Sequence, residues 1–172
     1  AAQLAQATGA ALEIFHSIAE PIYVDGLGLA NQSLAAHKSR SRNRYLQRLE
    51  AIAAPLRSQG LRVSTAAEWD YPVFEAIVRR AEATHADLIV AERHATRHVA
   101  PWLLRFTDWE LLRLSPVPVL LVKSPRAYRR PVVLASVDPS HTFAKPSRLD
   151  DEILRQAQAI KDALHGTLHA VH

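Results

Sequence analysis

The sequence has 172 residues, enough for one ordinary domain and part of a second. Hydrophobic residues make up 48% of it and charged residues 22%, a balance that excludes disordered and fibrous chains and predicts a folded core. The 21 Lys and Arg residues outnumber the 17 Asp and Glu residues only mildly, so composition does not indicate a dedicated nucleic-acid-binding protein.

Residue types that are absent limit the chemistry and the location of the protein. There is no cysteine, which excludes disulfides, thiolate metal sites and a cysteine nucleophile. Apolar stretches such as 117–122 are far shorter than the roughly 18 residues of a membrane span. No signal-peptide pattern opens the chain. We therefore expect a cytoplasmic protein with no membrane partner.

The first 84 residues alternate between strand and helix patterns. Gly9 is placed to stop a short helix, Ser33 to cap a long one, and Pro55 to kink that helix or end it early. The predicted elements are a helix end at 1–8, a strand at 10–18, a loop at 20–31, a helix from Ser33 to about Ser58, a strand at 61–68 and a helix at 71–84.

The rest of the chain repeats this alternation. Residues 87–91 and 117–122 are largely apolar on consecutive positions, which is typical of parallel strands buried on both faces. Strands that alternate with helices indicate right-handed βαβ crossovers, so the predicted fold class is a doubly wound parallel α/β sheet with helices on both faces. The remaining predicted elements are a helix at 106–114, a strand at 132–137, a helix at about 149–164 and a strand at 167–171.

The chain also contains a weak internal repeat. A shift of 156 residues superposes a helix end, a glycine-containing stop and a strand in the same order, although Gly9 and Gly166 are one place out of step. The shift places Leu4 on Ile160, Ala7 on Ala163, Leu12 on Leu168, Phe15 on Val171 and His16 on His172. We therefore expect the first unit to have had an opening strand and half a helix before residue 1.

Two parts of the sequence carry a resemblance to a known family. Residues 86–90 (Ala-Asp-Leu-Ile-Val), then 109–113 (Trp-Glu-Leu-Leu-Arg) running into 116–122 (Pro-Val-Pro-Val-Leu-Leu-Val), resemble the C-terminal half of universal stress proteins. Residues 133–140 (Val-Leu-Ala-Ser-Val-Asp-Pro-Ser) are similar to the opening strand of that family, which ends in an Asp before a tight turn. The resemblance implies a Rossmann-like, adenine nucleotide alpha hydrolase-like fold. The 156-residue offset matches the tandem members, which have two domains in one chain.

The resemblance implies a domain organisation. Residues 1–123 would form a first domain without its first strand, 124–130 a polar, basic linker, and 131–172 the beginning of a second domain. The strand at 132–137 has two possible places, the vacant centre of the first unit or a separate sheet. The pairing partners of Val133 and Val137 distinguish these placements.

Family members that bind ATP carry a glycine motif after their fourth strand, because glycine lets backbone N–H groups approach phosphate oxygens. The corresponding positions hold Glu92, Ala95, Arg105 and Phe106. The resemblance therefore implies that the first domain holds no ATP in the usual way, although Arg93, Arg105 and Thr107 stay candidate phosphate contacts. Asp138 matches the family's Asp near the base and is the best site candidate, so the second domain could bind ATP or another ligand.

Three further patterns allow a functional and a structural interpretation. His94 and His98 could bind a metal with Glu92, but a polar surface loop is favoured because no fourth ligand is present. Trp102, Phe106 and Trp109 could line an apolar pocket, but core packing is favoured. A basic strip of Lys38, Arg40, Arg42, Arg44 and Arg48 could touch phosphates or an acidic partner, but a solvated helix face is favoured, so a nucleic-acid partner is not expected.

The functional prediction is a stress-response module that binds a small ligand or a partner and is not an enzyme. The sequence has no nucleophile elbow, P-loop or metal cluster. The alternative is a nucleotide-binding protein or ATP hydrolase acting through the second domain. Pairing with a second copy or between domains through the sheet edge is also expected.

Overall fold

The computed structural model describes residues 1–19, 30–92, 101–124, 126–139 and 148–172, and their side chains except those of residues 30–33 and 101–107. Five helices and six strands are formed within these residues. In chain order they are α1 (Ala2–Thr8), β1 (Leu12–Ile18), α2 (Ala30–Ser58), β2 (Val63–Trp69), α3 (Val73–Ala83), β3 (Ile89–Glu92), α4 (Pro101–Leu114), β4 (Val119–Val122), β5 (Val132–Ser136), α5 (Leu149–Leu164) and β6 (Thr167–Val171).

The chain divides into two compact units. One comprises residues 11–125 and contains the strand pairs β1–β2 and β3–β4; the other comprises 1–10 with 126–172 and contains the pair β5–β6. All three pairs are parallel, each joined through one intervening helix. Mixed α/β structure with parallel strands confirms the predicted fold class.

In the larger unit, the strands β1 and β2 are covered by a helix on each face. The aligned residues run from Leu12 with Val63 to Ile18 with Trp69. Ile18 and Ala67 are buried on one face against Leu49 of α2. Because side chains alternate across a strand, the intervening residues face the other way, toward α3.

On that second face, Arg80 of α3 makes hydrogen bonds to side chains of both strands. Its Nε and Nη2 atoms donate to the two carboxylate oxygens of Glu13 on β1, at 2.7 and 2.8 Å. Its Nη1 atom donates to Glu68 on β2 at 2.9 Å. The Arg80 guanidinium holds the pKa of the Glu13 carboxyl below its ordinary value, chiefly through these hydrogen bonds and against the opposing effect of burial.

The outer edge of β2 is covered by two side chains of α2, which we call the edge arginines. Arg42 Nε donates to the Ala67 carbonyl at 3.0 Å, and Arg57 Nε donates to the Val63 carbonyl at 2.7 Å. These carbonyls point away from β1, whose Leu12 N–H bonds instead to the carbonyl of residue 62. Occupying edge carbonyls in this way hinders pairing with a strand of another molecule.

The strands β3 and β4 form the second pair of this unit, with Ile89 aligned to Val119 and Glu92 to Val122. Helix α4 connects them and packs against both α3 and β4. Its Leu111 is almost completely buried. Among the described residues no strand pairing joins this pair to β1–β2, so the four strands form two parallel pairs where the sequence predicted one sheet.

In the smaller unit, α5 connects β5 to β6 and α1 packs against α5. His165 ends α5 in a left-handed conformation at φ 52°, and Gly166 then passes against the backbone of Pro131 so closely that a Cβ atom there would collide with the Pro131 carbonyl. Val133 aligns with Leu168 on β6, and the Val137 N–H bonds to the Val171 carbonyl. The strand at 132–137 therefore begins a separate sheet, and its alternative placement in the first unit was wrong.

Three local predictions need correction. Helix α2 begins at Ala30, so Ser33 lies inside it and is not its cap. It also continues through Pro55 to Ser58, so the early end predicted at Pro55 was wrong, and Gly60 at φ 88° follows the end of the helix. Trp109 is 72% exposed, so it is not a core residue as the aromatic spacing predicted. It follows that helical spacing identified the helix but not its buried face.

Candidate ligand-binding site

The carboxyl ends of β5 and β6 bring together the best candidate from the sequence and two residues that the sequence analysis missed. Asp138 follows β5, and its Oδ1 lies 3.4 Å from Nε2 of His172, which follows β6. The Asp138 backbone N–H donates to Oδ1 of Asp150, in the first turn of α5, at 3.3 Å. Parallel strands gather ligand-binding groups at this end. The signal for His172 was its position directly after an apolar strand.

The charge of this site decides which ligand groups it can hold. Helix N-termini usually attract anions, but the first turn of α5 carries Asp150, Asp151 and Glu152. Hydrogen bonds from Arg155 and Gln156 lower the pKa of the Glu152 carboxyl to about 2, so it is ionised at neutral pH. The charge of Glu152 is balanced by its ion pair with Arg155, so Asp138 and Asp150 are the carboxylates that present oxygen acceptors to N–H or O–H donors here.

A different set of groups lies at the carboxyl ends of β1 and β2 in the larger unit. Trp69 ends β2, and its indole Nε1 donates to the Lys38 carbonyl of α2 at 3.1 Å. The Lys38 ammonium lies 5.8 Å from the centroid of the Trp69 ring. The ring centroids of His37 and Trp69 are 6.3 Å apart. No local sequence pattern indicates this group, because 31 residues separate the indole from its partner.

Polar groups that follow β2 are already engaged with each other. Arg79 makes two hydrogen bonds to the carboxylate of Asp70, at 2.7 and 3.0 Å, and a third to Glu75 at 2.8 Å. A recess of about 130 Å³ lies beside these residues, lined by Phe74, Glu75, Val78, Arg79 and Leu114. Small-molecule pockets typically measure about 300–1,000 Å³, so this recess is too small for a nucleotide.

The first position that the sequence aligned with the family's glycine motif lies at the end of β3. Glu92 is the last residue of that strand, aligned with Val122. Arg93 lies outside the described residues, as do His94 and His98. Arg105 and Thr107 lie on α4, and their side chains are outside the described part of the chain. Asp138 is thus the one predicted site residue for which the structure gives contacts.

Two kinds of feature are absent from the described residues. No group of three or more His, Cys, Asp or Glu side chains within them could hold a metal ion. None of the described helices is both long enough and apolar enough to cross a membrane.

Comparison with known proteins places the chain in a family. No curated protein matches it. One similar solved structure, PA1789 from Pseudomonas aeruginosa PAO1, is described as functionally unknown; it is 26% identical, with a TM-score of 0.64 over 93% of this chain and 59% of its own length. Another, provisionally assigned as a universal stress protein, from Pseudomonas aeruginosa UCBPP-PA14, has the same identity and TM-score over 93% of this chain and 60% of its own.

This chain therefore spans about three fifths of the length of those two proteins. The model of the universal stress protein family matches residues 1–123, the part that the sequence analysis compared with that family. The structure agrees, because that segment contains parallel strand pairs joined through helices. The chain belongs to the universal stress protein family.

Proposed function

We propose that this protein is a cytoplasmic, tandem-type universal stress protein that acts by binding a ligand or partner and does not catalyse a reaction. The observation that carries the proposal is Glu92 at the end of β3, where ATP-binding members have the first glycine of their motif. A carboxylate at this position repels phosphate and adds a side chain where backbone must approach it. The first domain therefore does not hold ATP through a glycine loop.

The second domain offers the alternative of nucleotide binding, with or without hydrolysis, through Asp138. That carboxylate is 43% exposed and lies beside His172 at the strand ends. Its acceptor oxygens suit the N–H donors of a base more than phosphates, because three acidic residues occupy the first turn of α5. The ligand predicted here is a small molecule that donates hydrogen bonds.

Calorimetric titration of the whole chain with Mg²⁺ and ATP tests the proposal. We expect no binding heat below millimolar nucleotide. Micromolar affinity, about 8 kcal/mol of binding free energy, that disappears in Arg93→Gln or Arg105→Gln would refute the proposal, since these arginines would then replace the glycine loop. Micromolar affinity lost in Asp138→Asn but kept in the matched control Asp151→Asn would establish the alternative.

Self-association through a sheet edge is also proposed. Within the part of the chain that the structure describes, each of the six strands pairs with one other strand and has a second edge without a strand partner. The edge arginines cover that edge of β2, so an added strand would pair with one of the other five strands. Sedimentation over a hundredfold range of concentration tests this; a constant monomer mass would refute it.

A further inference from the structure

Helix α2 carries a row of exposed arginines on its outer surface. Arg40, Arg44 and Arg48 are spaced four residues apart and are all exposed. At 1.5 Å of rise per residue, their Cα atoms are about 6 Å apart along the helix axis, and residues four apart share one helix face. We call these three residues the arginine row.

The stretch of sequence that contains the arginine row is basic and has no acidic residue. Residues 26–49 contain no Asp or Glu, and they hold five basic residues, namely Lys38, Arg40, Arg42, Arg44 and Arg48. The next carboxylate is Glu50, which is paired with Arg57. The overall charge of +4 conceals this local concentration, which is why composition alone did not predict a polyanionic partner.

The inner face of α2 holds the row in place. Ser41, Leu49 and Ala53 are buried on the helix, and the Tyr45 ring stacks on His16 of β1 with ring centroids 4.2 Å apart. The guanidinium groups of Arg44 and Arg48 lie 5.5 and 5.6 Å from the centroid of the same tyrosine ring. Two of the three cations are therefore positioned by the protein before any partner binds.

The composition of this surface favours one kind of partner. Protein interfaces depend on buried apolar and aromatic anchors, whereas Ile52, beyond the row, is the one exposed large hydrophobic residue among the described side chains of α2. Binding of single strands depends on aromatic rings on which bases stack, but Tyr45 is already stacked on His16. Guanidinium groups without such anchors suit phosphate oxygens.

We propose that the arginine row binds the phosphate backbone of a nucleic-acid duplex without reading its sequence. This goes beyond the proposed function, because the arginine row belongs to the larger unit, whereas the strand-end site of Asp138 belongs to the smaller one, and because the row needs no small ligand. Three phosphate contacts release counterions on binding, so affinity should fall about 40-fold between 50 and 200 mM salt, from a logarithmic slope of about −2.7.

Fluorescence anisotropy with a labelled 20-base-pair DNA duplex of random sequence tests the proposal. The whole chain should bind with the predicted salt dependence, and two duplexes of unrelated sequence should bind equally. The triple variant Arg40→Gln, Arg44→Gln, Arg48→Gln should lose most of the affinity and about three units of the slope. The control Arg113→Gln, Lys123→Gln, Arg155→Gln removes the same charge from other exposed positions and should retain the slope within about one unit.

A single-residue variant and a second kind of duplex extend the test of duplex binding. If the triple variant does not fold, Arg40→Gln alone should reduce the slope by about one unit, since Arg40 makes no hydrogen bond or ion pair among the described residues. A duplex RNA arm shows whether DNA or RNA supplies the phosphates, and either supports the proposal. Equal losses in the triple variant and its control, tighter binding to a single strand than to a duplex, or equally tight binding to polyglutamate would overturn it.

Discussion

Replacing Arg80 with methionine removes the residue that fastens α3 to both β1 and β2. Arg80 makes two hydrogen bonds to Glu13 and one to Glu68, and its side chain is 28% exposed. Methionine retains much of the side-chain volume without the charge. The substitution leaves the Glu13 carboxylate, which is 24% exposed, without its cation.

The loss in the free energy of unfolding that we expect for Arg80→Met lies between two limits. Breaking a fully buried pair by removing one partner costs about 3–5 kcal/mol, whereas exposed pairs contribute about 1 kcal/mol at most. With both groups of the Arg80–Glu13 pair about three-quarters covered, we expect the free energy of unfolding to fall by about 2 kcal/mol. For a chain of this size that corresponds to about 4–8 °C in melting temperature.

Urea unfolding monitored by circular dichroism measures the change, with Arg113→Met as the control. Arg113 pairs with Glu110 on the same helix and is 71% exposed, so its substitution should change stability by less than about 0.5 kcal/mol. The two variants remove the same charge and add the same side chain. A loss for Arg80→Met no larger than that of the control would refute the proposed role of Arg80 in joining α3 to β1 and β2.

The hydrogen bonds from Arg80 to Glu13 also predict that the free energy of unfolding depends on pH. The pKa of Glu13 is lowered in the folded protein from an ordinary value of 4.5, so its contribution to stability is fully present above that pH. The contribution is lost as pH falls through the lower folded pKa. Below pH 4.5 the wild-type protein should lose stability more steeply than Arg80→Met; parallel curves would show that Arg80 does not lower this pKa.

Three further substitutions test packing, a close approach and the protected edge. Leu111→Ala should cost about 3 kcal/mol in urea unfolding because it empties a buried site, whereas exposed Leu112→Ala should cost less than about 0.5 kcal/mol; similar losses would contradict the packing. Gly166→Ala should lower the melting temperature by about 2–8 °C, since the new methyl group collides with the Pro131 carbonyl; an unchanged value would refute the close approach. Replacing both edge arginines with alanine should strengthen concentration-dependent association relative to the wild type on size-exclusion chromatography, and an elution volume identical to the wild type at every concentration would refute the protective role.

Short-range signals in the sequence predicted most elements of the fold. Gly9 lies in the left-handed conformation after α1, as its position before an apolar run indicated. The cap predicted at Ser33 and the early end predicted at Pro55 were wrong. Burying one face of a long helix stabilises it by more than it loses through one missing backbone hydrogen bond or one unused cap. The prediction that Trp109 packs in the core was wrong, because helical spacing shows which residues share a face of the helix but not which face is buried.

The contacts that define the candidate site depend on long-range geometry. Asp138 could be predicted because a strand-end Asp is a local pattern, and His172 satisfies the same rule after β6. The bond of Asp138 to Asp150 depends on how α5 returns to the sheet. The Trp69–Lys38 group likewise depends on α2 lying antiparallel to β2, which no local pattern specifies.

The two strand-end surfaces differ in charge, and the difference limits what each can bind. In the smaller unit, Asp138 and Asp150 place carboxylates where an incoming anion would have to lie. In the larger unit, Lys38 lies over Trp69, which combines a cation with an apolar ring, but Glu92 stands at the end of β3. A triphosphate therefore meets a carboxylate at the end of a strand in either unit. Ligands that donate hydrogen bonds meet no such repulsion, so under the proposed function we expect the strand ends to bind a neutral or cationic molecule in preference to ATP.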